Sequence, residues 1–156
     1  MSDAAQSQPP SDSLAEIRRQ RRGVRAAFLG LEHAVAAASS GREKEWLAGV
    51  VLKLGDLQAA FDHHIAITEG PGGLFEEVVE HAPRLAHQVA VLSAEHVAVG
   101  DAIANALNMA GKAHGADGVT ETREASIDIM SQVTRHRHSG AGLVFEAYNV
   151  DIEAAD

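Results

Sequence analysis

The 156-residue chain has no cysteine. That excludes disulfides, thiol catalysis and iron–sulfur clusters. Aromatic residues make up only 4%, and runs of β-branched residues are short. Alanine is abundant instead, a composition that favours closely packed helices over sheet. No apolar run reaches the roughly 18 residues of a membrane span. Basic residues are outnumbered, with a formal charge of −9 and a pI near 5.4, which argues against a nucleic-acid surface. The polar, proline-containing start, Met1 to Ser13, does not read as a signal peptide. No nucleophilic triad, phosphate loop or nucleotide fingerprint is present. The expectation is one all-α domain in the cytoplasm, with no nucleic-acid or membrane partner.

What the chain does have is hydrophobic residues, 46% of the sequence, many of them at helical spacing with histidines set among them. Residues 1–12 are expected to be a disordered tail, 13–150 the folded bundle and 151–156 an acidic tail. Ser13 and Glu16 have capping-box spacing and open the first predicted helix. Leu14, Ile17, Val24, Phe28, Leu31 and Val35 give it one core face, which Arg21 interrupts. Arg18, Arg19, Arg21, Arg22 and Arg25 form a basic patch, either a solvated face or an anion site.

A second helix is predicted from Glu43 to Thr68. Trp46, Val50, Leu54, Leu57, Phe61, His64 and Thr68 share one stripe, so His64 points at the core. Gly70-Pro71-Gly72-Gly73 ends that helix. Leu74 to His81 reads as a short helix, and Pro83 suits the first turn of the next. There the seam is Leu85, Val89, Leu92, His96, Val99, Ile103 and Leu107. Asn108 to Gly118, rich in small residues, reads as a loop. The last long helix is predicted from Thr120 to Tyr148, with Ile129, Val133, His136, Gly140, Leu143 and Ala147 on one face. Four long helices with short connections give an antiparallel up-down-up-down bundle, with a short extra helix before the third.

Level along the bundle then selects among the histidines. At about 1.5 Å per residue, His33 and His64 stand roughly 20 Å apart, so they do not share a site. His96 and His136 differ by about 8 Å, a gap that side chains can span. His87, roughly opposite the seam of its helix, lies near the level of His64, and Glu69 and Glu146 near that same end. The candidate metal ligands are therefore His64, Glu69, His87, His96, His136 and Glu146. Imidazole and carboxylate together suit a borderline metal such as iron or zinc. On otherwise apolar seams, an unpaired imidazole would cost roughly 1–3 kcal/mol. His63, His81, His114 and His138 are expected to face solvent.

The run His64 to Glu69, the pair Glu95-His96 and His136 resemble the hemerythrin-like, HHE cation-binding family. Thr68 to Phe75, Ala82 to His87 and Glu146 to Asp151 resemble a bacterial branch of it. The resemblance implies a four-helix bundle around a non-haem di-iron centre, and a small diatomic or peroxide ligand, such as oxygen or nitric oxide. The implied pattern is broken in three places. Ile17 stands beside Glu16 where a histidine is implied, Glu69 follows His64 by five residues and not four, and Gly140 and Gly142 replace the carboxylate after His136. The competing expectation is a metal-free, degenerate bundle that serves as an interaction or regulatory module.

Overall fold

A computed structural model describes residues 11–149 and Ile152, with side chains from Ala15 onward. The tails expected at 1–12 and 151–156 lie largely outside the described residues. Among the described residues every regular element is helical. α1 spans Ser11–Ala36, α2 Glu43–Glu69 and α3 Leu74–His81; a 3-10 turn at Pro83–Leu85 leads into α4, Ala86–Lys112, and α5 spans Gly115–Tyr148. The four long helices pack against one another. None of the described helices is long and apolar enough to cross a membrane.

The seams explain the packing. On α2, Trp46, Val50, Leu54, Leu57, Phe61 and Thr68 are buried, recurring at three and four residues as one helical face requires. On α4 the buried set is Leu92, His96, Val99, Ile103, Ala106 and Ala110. α1 contributes Ile17, Gln20, Val24, Leu31 and Val35. These side chains form two apolar clusters. One centres on Leu31, Val50, Leu54, Leu57, Phe61 and Ile103. The other holds Phe75, Val78, Leu92, Leu143, Val144 and Ile152.

Two expectations fail at helix ends. Asn108 to Gly118 is not a loop: α4 runs to Lys112 and α5 starts at Gly115. The small residues serve close packing instead. Ala106 and Ala110 continue the buried seam, and a Cβ on Gly118 would stand 3.0 Å from that of Ala113. Nor do Ser13 and Glu16 form a capping box, because α1 is already helical at Ser11. The Glu16 carboxylate pairs with Arg19 at 2.6 Å and accepts a hydrogen bond from Gln20 at 2.8 Å.

The turn after α2 depends on glycine. Gly72 has φ of 71°, a left-handed conformation that glycine adopts without steric cost. A Cβ on Gly73 would lie 2.5 Å from the Ile67 carbonyl oxygen, closer than any real contact. The turn thus folds tightly against the last turns of α2, next to His64.

Candidate metal centre

His64 on α2, His96 on α4 and His136 on α5 converge between the two apolar clusters. Their candidate ligand atoms all lie within 4.8 Å of one another. His96 is 1% exposed and His136 4%, while His64 is half-buried. The Phe61 ring packs against all three imidazoles, at centroid distances of 5.5, 5.8 and 5.7 Å. Phe75 stacks on His96 from the other cluster, at 5.4 Å and nearly parallel. The aromatic walls restrict how each imidazole can turn.

Two carboxylates fix the tautomers. The Nδ1 of His136 lies 2.7 Å from Glu95 Oε2, and the Nδ1 of His96 lies 3.0 Å from Glu69 Oε1. A carboxylate only accepts, so each Nδ1 carries the proton and each neutral ring presents a lone pair at Nε2. His64 Nε2 sits 3.1 Å from His96 Nε2 and 3.4 Å from His136 Nε2. A single N–H on His64 can point at only one of those two acceptors. At least one buried lone pair is left facing the others, an arrangement that a cation relieves.

The electrostatics keep the rings available as ligands. Burial, reinforced by His96 and His136, pushes His64 from 6.5 down to about 3. Burial and His136 also lower His96, against the opposing pull of Glu69 and Glu95. Protons therefore do not compete for these two rings near neutral pH. Ser93 donates from its hydroxyl to Glu69, and Thr68 Oγ1 bonds the His64 carbonyl at 2.5 Å. The first contact ties α4 to α2 beside the trio; the second lies within α2.

Of the six residues read from the sequence as ligands, the structure brings His64, His96 and His136 together. Glu69 acts one step removed, on His96 Nδ1. His87 is exposed on α4 and is not one of the convergent group. It lies opposite the buried α4 seam, and that phase outweighs its level near His64. Glu146 is also exposed; its carboxylate accepts from Gln88 at 3.0 Å and its carbonyl from Arg84. On α5 it follows Phe145, itself half-exposed, and so falls off the His136 face. His33, His63, His81, His114 and His138 are all exposed.

Glu95 is the residue beside the trio that a list of inward-facing side chains misses. One position before His96, it is about 100° further round α4 and meets His136 on α5, not the core axis. Its adjacency to a seam histidine was the available signal. Comparison with known proteins finds no family model, no curated protein and no solved structure that matches this chain.

Proposed function

We propose that the chain is a hemerythrin-like metal-binding protein in which His64, His96 and His136 hold one first-row transition-metal ion, with iron first among the candidates. The four long helices then form an antiparallel up-down-up-down bundle, with α3 as a short extra helix. Short connections between consecutive helices support that arrangement.

The observation that carries the reading is the spacing of the imidazole nitrogens. Metal–imidazole bonds of about 2.1 Å put two ligand nitrogens about 3.4 Å apart in a tetrahedral site and about 3.0 Å apart in an octahedral one. The two measured separations are 3.1 and 3.4 Å. Three neutral nitrogen donors suit iron, zinc, copper or nickel. Among the described residues only this one group of three gathers, which favours a single ion over a pair. The Glu69 and Glu95 contacts orient their imidazoles and raise their basicity, as carboxylates behind metal-bound histidines do.

A bound iron would supply open coordination positions for oxygen, peroxide or nitric oxide. Access follows from the walls: His64 and His136 line a cavity of about 420 Å³, and His96 does not. Phe61 and Phe75 keep the trio dry on its apolar sides.

The test is metal content and absorption of protein purified without chelator. His64→Ala, His96→Ala and His136→Ala should each lower bound metal about tenfold or more. Metal retained by all three variants overturns the assignment. A fully helical parent with no metal, even after loading with ferrous iron or zinc, supports the metal-free interaction module instead.

A further inference from the structure

The cavity beside the trio is much larger than a diatomic molecule needs. Its volume is about 420 Å³. An apolar cavity of about 150 Å³ already holds benzene. The space therefore fits an organic molecule of roughly ten to fifteen heavy atoms. Its walls are mainly apolar, including Ile17 and Val24 from α1, Phe61 from α2, Phe75 from α3 and Leu143 and Val144 from α5.

The polar wall is chemically specific. The imidazoles of His64 and His136 bound one side. Thr68 lies near them, its hydroxyl already given to the His64 carbonyl. Charged residues on the wall come in both signs, Arg21 and Arg137 with Glu16 and Glu77, so no single-sign field selects an ion. A neutral group that can both donate a proton to an imidazole and offer an oxygen lone pair matches that wall. A hydroxyl does both.

Gly140 shows where the room comes from. It lines the cavity one turn beyond His136, and so on the same face of α5. A Cβ placed there would meet nothing within 4 Å. Any longer side chain would occupy the space next to the trio.

We propose that this cavity binds an apolar organic molecule of about ten to fifteen heavy atoms, with a single hydroxyl directed at His64 and His136. The apolar body of the ligand stands on the cavity alone. In the metal-free chain the hydroxyl bonds the free imidazoles; on the metal-centre reading above, a bound ion would take that oxygen instead.

The experiment titrates the full chain, metal-free and metal-loaded, with 2-naphthol and with naphthalene, by calorimetry. One saturable site with a 2-naphthol Kd below about 100 µM is expected, with naphthalene weaker by about fivefold or more. Gly140→Leu should weaken 2-naphthol by about tenfold or more while metal content equals the parent's. Equal affinity in Gly140→Leu and the parent, or no saturation by 2-naphthol, overturns the proposal. Equal affinity for the two probes overturns the hydroxyl assignment. Should Gly140→Leu not fold, amide shifts of the parent decide: changes at Phe61, Leu143 and Val144 support the site, and changes confined to other surfaces overturn it. Metal content is measured on the same samples. Probe binding without metal uptake sinks the metal reading alone, and metal uptake without probe binding sinks the cavity alone.

Discussion

Removing the Glu95 carboxylate should weaken metal binding without touching a ligand. Glu95 accepts the Nδ1 proton of His136 at 2.7 Å. That contact keeps the lone pair on Nε2, where the other two imidazoles converge. In Glu95→Ala nothing prescribes the tautomer, and the ring loses one of its two restraints. Losing a carboxylate behind a metal-bound histidine costs about 10- to 100-fold in affinity, equivalent to about 1.4–2.7 kcal/mol. The Glu95 side chain is 34% exposed, so water replaces part of the lost bond and the lower half of that range is expected. Glu95→Gln keeps an accepting carbonyl but loses the charge assistance, and its amide can also turn and stabilise the wrong tautomer. The predicted order of affinity is parent, then Glu95→Gln, then Glu95→Ala. Zinc is a redox-silent probe, and competition with a chromophoric chelator reads its affinity. Asp128→Ala is the control, since that exposed carboxylate on α5 bonds Gln132. Glu95→Ala with the parent's zinc affinity would refute the tautomer argument.

Metal-free protein should lose stability as the pH falls. The folded His64 takes its proton only near pH 3 and the unfolded one near 6.5, so the stability present above 6.5 drains away between those values. By pH 5 the loss is about 2 kcal/mol; urea midpoints that do not move between pH 7.5 and 5 contradict this. Phe61→Ala empties the space beneath all three imidazoles, where the ring is 1% exposed. A loss of about 3–5 kcal/mol follows, seen as a fall in Tm of about 10 °C, and an unchanged Tm would show that the ring is not a support. Gly73→Ala drives a Cβ to 2.5 Å from the Ile67 oxygen and should cost about 1–3 kcal/mol. Gly100→Ala, inside α4 with open space at its Cβ, should instead stabilise by about 0.5–1 kcal/mol; chemical denaturation of the pair tests the contrast.

Periodicity made the helical class and the inward histidines legible. His64, His96 and His136 each interrupt a mostly apolar stripe, and a polar side chain on such a stripe must find partners. The ends of α4 and α5 were not legible, because alanine and glycine serve a loop and a close helix contact equally well. Both helices proved longer toward each other by similar amounts, so the relative level of His96 and His136 did not change. Glu69 was read as a ligand because carboxylate near histidine fits both roles. Only the rotamer decides between them, and here it delivers the oxygen to His96 Nδ1.

Ile17 on α1 and Gly140 on α5 both border the cavity. α1 contacts α2 over a longer stretch than it contacts α5. A core with nothing to admit gains about 25 cal/mol for each Å² of apolar surface it buries, and a leucine at 140 would collect that gain. Glycine there forgoes it and also sacrifices helix propensity. Both costs fall beside the one cluster of buried lone pairs in the described core. They are the expected costs of keeping a route open to those nitrogens.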